Sequence, residues 1–359
     1  MIKNMNNSNI GYFCRVCSSE KIGEFKINHY VFPGKNENWK SFFCFDCGSV
    51  SDFRIKEKDI SYVDGSFRNK DHYKRLNIKS DDEKVLPPID PWSVISFKRW
   101  SHIWKSVKKS SNIFSNKEIK MLDYGGYQGF LPYAFKQKHK INSYVADLDP
   151  TGLGMAQFLG SKTINLAEND IDENNFDLIT IVHVLEHLDK PIENILKLKS
   201  ILSENGVIYA EVPNLYGLPM MNEAHKISFS EYSFVKIFKS AGFEILDYGF
   251  TKSPKESIKF DYIHHYDTEN IFVVCGKIEK KLSINLPKKE IPKDIKSFKY
   301  ELKFKYAKLM FKNISLTLLV PSLRYLKRSV LYFAYGLIDL ITLKLFKISL
   351  ISKYYPRNK

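Results

Sequence analysis

A chain of 359 residues with 44% apolar residues has the length for two domains, ample core and the composition of an ordinary globular protein. Its net charge of +15 is confined to one end: from Lys277 onward there are 20 Lys and Arg against 5 Asp and Glu, so residues 1–276 are neutral. A neutral body argues against a catalytic domain that grips nucleic acid, and makes the basic end a separate question.

The first residues, Met1 to Asn9, are polar and Asn-rich, without a charged region followed by an apolar stretch, so no secretory signal is visible and a cytoplasmic protein is expected. Cys14-Arg-Val-Cys17 and Cys44-Phe-Asp-Cys47 follow. Without a signal peptide, paired CxxC spacing favours metal over disulfides, and four thiolates close a tetrahedral shell on zinc. Such a site is structural, because a catalytic zinc keeps one position open. About sixty residues bury little core, and the metal supplies the missing stability. The stretches Val31–Gly34 and Trp39–Phe43 suit a small β-ribbon, giving a zinc-ribbon-like module over 1–65.

Residues 66–115 read as a bridge. Asp81-Asp82-Glu83-Lys84 and Pro87-Pro88 mark a loop, and Pro91 to Phe114 has helical spacing, with Trp100 and Trp104 at i, i+4 on one face. An aromatic stripe of that kind is expected to pack rather than to stack on a ligand.

Residues 119–129 carry the strongest local signal. An apolar strand (Ile119, Met121, Leu122) ends in Asp123; Gly125, Gly126 and Gly129 form a turn; and Phe130 to Lys138 suits a helix, with Pro132 in its first turn. Strand, glycine turn and helix make up the nucleotide-binding corner of a doubly wound sheet. The G-x-G-x-x-G of a dinucleotide site is missing, and a carboxylate just before the glycines suits a ligand carrying an ammonium and a sulfonium better than a pyrophosphate. Ser143 to Asp147-Leu-Asp149-Pro150 reads as the next strand, ending in acids that can accept ribose hydroxyls. After a short strand at Thr163-Ile164 come Phe176-Asp177 and an apolar strand, Leu185-Glu186-His187, a helix over Ile192–Leu202, and Val207 to Glu211-Val-Pro213-Asn214. His225, Phe229-Ser230 and Gly242-Phe243 follow, then apolar strands at Ile245–Phe250 and Asn270–Ile278. Cys275 falls in that last apolar strand and reads as core.

From about Ile119 to Lys277 these phrases resemble the class I S-adenosylmethionine (SAM) methyltransferases of the small-molecule type. The resemblance implies an α/β fold with a Rossmann-like seven-stranded sheet over 116–279, its last two strands forming an antiparallel hairpin. It implies a SAM site at Asp123, Gly125, Gly126 and Gly129. Asp149 would hold the ribose, with Asp147 as second choice, and Asn165 and Leu166 would edge the adenine. The glycine turn departs from the family's usual G-x-G-x-G at Tyr127. A cysteine module ahead of the SAM domain is similar to several sugar methyltransferases, although the second α/β domain usual in sugar C-methyltransferases has no counterpart here.

Methyl transfer to a hydroxyl needs a positioned acceptor and a base. His187 is the first candidate and His225 the second, with Glu186 orienting the histidine or contacting the acceptor. The H-x-x-E-H spacing of His183, Glu186 and His187 also matches a metalloprotease pattern, but that needs a continuous helix where a buried strand is expected. A divalent ion on Glu186 and His187 is a further option.

Residues 280–359 mix lysines, aromatics and apolar runs, none long enough to span a bilayer. They suit a helical extension that packs on protein or lies on an anionic membrane, which would put the enzyme at the inner face. The expected function is methylation of a small hydroxylated acceptor, a sugar or glycan intermediate of cell-surface polysaccharide synthesis. The alternatives are an RNA methyltransferase with a zinc module and a SAM-binding protein without catalysis.

Overall fold

The structure is a computed structural model, and it describes residues 12–25, 39–54, 91–115, 118–217, 225–252, 269–277, 285–302 and 304–305. The expectations for 26–38 (Val31–Gly34 included), for the loop over 66–90 and for the tail beyond 305 lie outside these residues. Residues 1–295 make one compact unit; of the second, starting at Lys296, the described residues are helical turns. No helix among the described residues is long and apolar enough to cross a membrane.

The centre is a seven-stranded sheet in the order β10-β11-β8-β7-β4-β5-β6. Its members are β4 (Ile119–Tyr124), β5 (Ile141–Asp147), β6 (Lys162–Asn165), β7 (Phe176–Val182), β8 (Leu202–Pro213), β10 (Glu244–Lys252) and β11 (Glu269–Gly276). Strands β6, β5, β4, β7 and β8 run parallel, while β11 pairs antiparallel with β10, as the resemblance implied, and also with β8. Helices α1 (Pro91–Ser110), α2 (Phe130–Lys136), α3 (Pro150–Phe158), α4 (Pro191–Ile201) and α5 (Glu231–Ser240) accompany it. The direction of winding reverses at β4, with β5 on one side and β7 on the other; ligands bind at the carboxyl ends of such a pair.

Alternating residues of each strand feed two cores. Met121, Leu178 and Tyr209 pack with Ile103 and Val107 of α1 and Phe135 of α2. Leu122, Ile179, Ile208 and Ala210 pack on the other face with Ile195 and Leu198 of α4 and Phe234 and Ile237 of α5. Trp100 and Trp104 do pack: Trp100 meets Phe135 edge-on at 6.2 Å, and Trp104 stacks on His139 at 6.1 Å. Cys275 is fully buried in the second core.

The N-terminal segment builds a small sheet of β1 (Ile22–Phe25), β2 (Trp39–Cys44) and β3 (Val50–Arg54). Its fourth strand is β9 (Ile227–Ser228), a two-residue element between β8 and α5: Val50 faces Ser228 and Ser51 faces Ile227. Cys14, Val16, Cys44 and Cys47 belong to the same core as Ile227, Phe229 and Phe234. The cysteine module therefore shares its sheet and its core with the large domain.

Candidate active site

Asp123, next to last in β4, is almost fully buried, and the Thr180 hydroxyl donates to its Oδ1 at 2.6 Å. Burial is the main force on this carboxyl; the Thr180 hydrogen bond works against it, nearby Asp147 with it, and the pKa rises to about 7. The turn that follows has positive φ at Gly125 and Gly129, +73° and +69°. Gly126 lies against the acid: a Cβ there would stand 2.5 Å from Asp123 Oδ2.

Tyr127, where the family favours glycine, also has positive φ, 46°. An L residue resists that conformation, and here the strain is met by packing. The ring is buried over the first turn of α3, so close that a Cβ on Gly152 would fall 2.1 Å from it. The glycine missing at 127 thus has a counterpart at 152, across the turn.

The two acids at the end of β5 make different contacts. Asp149 caps α3: its carboxylate accepts from the Thr151 amide and hydroxyl, and the residue is 4% exposed. Asp147 stands at the tip of β5, where Oδ2 accepts from the Tyr127 amide at 2.8 Å and Oδ1 from the Asp149 amide at 2.9 Å. Asn165 closes a turn with the Ala167 amide, and the Leu166 amide donates to the Asp147 carbonyl, which sets the end of β6 beside the same tip.

Beyond β7 the backbone turns at His183, with φ +56°, and Leu185–His187 forms a single 3-10 turn. The H-x-x-E-H spacing thus has no continuous helix beneath it. Val184 reaches back to the glycine turn; a Cβ on Gly125 would lie 2.3 Å from its Cγ2. The two halves of the site meet there.

Glu186 is 1% exposed. Around its Oε1 stand His183 Nδ1 at 3.2 Å, His225 Nε2 at 3.9 Å and His187 Nε2 at 4.0 Å. Burial opposes its ionisation, but His183, His187 and His225 overcome it and hold the pKa at about 2. Neither Glu186 oxygen meets hydrogen-bond geometry with a partner among the described residues. The His187 and His225 rings meet edge-to-face with centroids 4.8 Å apart. The ligand atoms of Glu186, His187 and His225 all lie within 4.8 Å of one another.

Sequence reasoning missed Arg99 and Glu211. Arg99 of α1 donates from Nε to Glu211 Oε1 at 3.0 Å, and its Nη2 lies 2.9 Å from His183 Nε2. A guanidinium only donates, so Nε2 accepts and Nδ1 carries the hydrogen facing Glu186. Glu211 is fully buried and also accepts from Asn270 at 2.8 Å and from the Tyr209 hydroxyl at 2.8 Å. Burial resists its ionisation; the Arg99 charge prevails, and the pKa falls to about 2. The one sequence signal was a glutamate inside an apolar strand, which requires a buried partner.

The four cysteines carry no disulfide. Cys14 and Cys47 Sγ are 3.5 Å apart and Cys17 and Cys44 Sγ 3.6 Å, close to the edge of about 3.8 Å for a tetrahedron of 2.3 Å Zn–S bonds.

Residues 99–248 match the family Methyltransf_23, described as a methyltransferase domain. No curated protein matches the chain. Similar solved structures include an S-adenosylmethionine-dependent methyltransferase from Clostridium acetobutylicum, 19% identical, covering 53% of this chain and 92% of its own, with a TM-score of 0.37. Another is the 1,6-didemethyltoxoflavin-N1-methyltransferase of Burkholderia thailandensis, 17% identical, covering 56% and 99%, with a TM-score of 0.37. A third is a SAM-dependent methyltransferase from Aquifex aeolicus, 17% identical, covering 52% and 93%, with a TM-score of 0.38. The strand order and the family match together make residues 99–248 the domain of a SAM-dependent methyltransferase.

Proposed function

We propose that the protein transfers a methyl group from SAM to a hydroxyl of a small sugar or glycan intermediate, with His187 taking the hydroxyl proton and His225 as its alternate. The observation that carries this reading is the buried, ionised Glu186 ringed by imidazoles, two residues beyond the Val184 that packs on Gly125. Bound SAM supplies a methyl carried on a sulfonium. Asp123 and the turn of Gly125, Gly126 and Gly129 receive its cationic end, Asp147 its ribose, and the ends of β5 and β6, with Asn165, the edge of its adenine; Asp149 supports them as the cap of α3. Of the two imidazoles His187 has the more exposed side chain, 22% against 11%, which favours it as the group that meets the acceptor. A fixed carboxylate beside an imidazole stabilises the imidazolium that proton transfer creates.

Zinc in the Cys14, Cys17, Cys44 and Cys47 site is supported by the sulfur spacing, and a sugar acceptor by a cysteine module ahead of a SAM domain. Incubating the protein with methyl-labelled SAM and fractionated host extract tests the whole reading. Label in nucleotide-sugar or lipid-linked glycan fractions is the expected result. Label in RNA would move the activity to the RNA alternative, and no label in any fraction would leave a SAM-binding protein without catalysis. The basic tail is proposed to add a weak contact with anionic membrane at the cytoplasmic face; liposome co-sedimentation unchanged by deletion of residues 309–359 would remove that contact from the reading.

A second reading is favoured by the trio of Glu186, His187 and His225, whose donor set suits a divalent cation. A cation held there would acidify the acceptor hydroxyl directly, and neither histidine would act as base. Methyl transfer that responds to added Mg2+ or Mn2+ after dialysis supports the cation; an indifferent rate supports the base.

A further inference from the structure

Glu186 and His225 are far apart in sequence, and a backbone hydrogen bond holds their segments together: the Lys226 amide donates to the Glu186 carbonyl at 2.7 Å. His187 follows Glu186 and His225 precedes Lys226, so this bond sets the spacing of the two imidazoles. The Lys226 carbonyl in turn accepts from the Asp52 amide of β3 at 2.9 Å. Two backbone hydrogen bonds in series therefore run from the cysteine module to Glu186, and the β3–β9 pairing continues them.

A second connection runs through side chains. Arg15, inside the first CxxC, donates from Nη1 to Asp189 Oδ1 at 2.5 Å, two residues beyond His187. Lys226 donates to the other oxygen of Asp189. Arg15 is fixed from behind, with its amide bonded to Ser51 Oγ at 3.1 Å and its guanidinium 4.5 Å from the centre of the Phe53 ring. One exposed ion pair is worth little, about 1 kcal/mol or less. Here it closes a ring of three segments that two backbone bonds, the Lys226–Asp189 pair and the Arg15–Ser51 bond also join. In the SAM half, the bonds from Thr180 to Asp123, from Gly125 to Ala146, from Tyr127 and Asp149 to Asp147 and from Thr151 to Asp149 lie within residues 123–180, and Val184 packs on Gly125 where the halves meet.

We propose that the four-cysteine module braces the acceptor half of the active site: Arg15 and β3 fix the Glu186–Asp189 turn against the His225–Ser228 segment and so set where His187 and His225 stand, independently of the SAM half. This rests on zinc filling the four thiols and on the histidine pair serving the acceptor. Arg15 is a positioning residue on this account, with no contact to the reacting atoms.

The full-length protein tests it without knowledge of the acceptor. Zinc content, amide exchange, histidine imidazole resonances and S-adenosylhomocysteine affinity are measured before and after zinc removal. On removal, amides of residues 226–229 are expected to exchange at least about tenfold faster while S-adenosylhomocysteine affinity changes less than about threefold. Arg15→Ala, which keeps every thiol, is expected to retain zinc and still move the His187 and His225 resonances, and Arg15→Lys to restore them in part. Unchanged resonances in Arg15→Ala, or S-adenosylhomocysteine affinity falling in step with the exchange protection, overturn the brace. Purified protein without zinc overturns it at its foundation, and failure to bind S-adenosylhomocysteine before zinc removal instead condemns the methyltransferase reading itself.

Discussion

Asp123 is held at a cost. Its pKa of about 7 is set chiefly by burial, so the folded state binds a proton that the unfolded chain releases near 4. Its contribution to stability is full below the unfolded value and is lost as pH rises toward 7. Asp123→Asn keeps an acceptor for Thr180 and is therefore expected to stabilise the ligand-free protein by roughly 2–4 kcal/mol at about pH 8 and by little at about pH 4, read from denaturant midpoints. The same variant should lose most of its SAM affinity, since the group that answers the ligand's positive charge is gone. Unaltered affinity would remove Asp123 from the cofactor site. The acid and its glycines were legible in the sequence because strand, acid and turn are contiguous. The cap at Asp149 was not legible: it and Asp147 stand two residues apart at the end of one strand, and only the Thr151 amide shows which one caps the helix.

At the scale of elements, the turn between β4 and α2 depends on the start of α3. Gly152→Ala would gain about 1 kcal/mol of helix propensity. It would also push a methyl into the Tyr127 ring, an overpacking cost of about 1–3 kcal/mol that outweighs the gain. Weaker S-adenosylhomocysteine binding by calorimetry, about tenfold, is expected, with recovery in the double variant Tyr127→Gly/Gly152→Ala. If Gly152→Ala binds normally, the strain at Tyr127 has no bearing on the cofactor. Helix α1 is tied to the sheet by a buried pair. Arg99→Met leaves Glu211 without its cation and should cost about 3–5 kcal/mol near neutral pH, shrinking in acid as Glu211 takes up a proton. An equal cost at low and neutral pH would argue that packing, not charge, is lost. Periodicity made α1 and the strands readable, whereas the Arg99–Glu211 contact joins distant segments and leaves no local pattern. Strand β9 escaped for a different reason: two residues are too few to show alternation.

For the molecule as a whole, the shared core changes what metal loss should do. Taken as an independent ribbon, the cysteine module would melt first and alone. Because Cys14, Cys44 and Cys47 pack with Phe229, Phe234 and Ile237, stripping zinc with a strong chelator and reductant is expected to lower one cooperative transition by several degrees, at about 2–4 °C per kcal/mol for a larger domain. Separate early melting of the N-terminal segment would restore the independent-ribbon view. Acid acts on the same scale. Glu186 and Glu211, both near 2 when folded, contribute stability that is complete above the ordinary glutamate range and lost as pH falls toward 2, so acid unfolding should be centred there.

The pairing of Val50 with Ser228 also bears on how the protein is made. At roughly 5–20 residues per second, the ribosome leaves β3 waiting on the order of ten to forty seconds for its neighbour. During that interval β3 is a bare edge on a nascent chain, and bare edges recruit other strands. Cells short of zinc, or messages that stop before codon 228, would therefore yield a sticky N-terminal fragment rather than a small folded one, and quality control would meet this protein early in its synthesis.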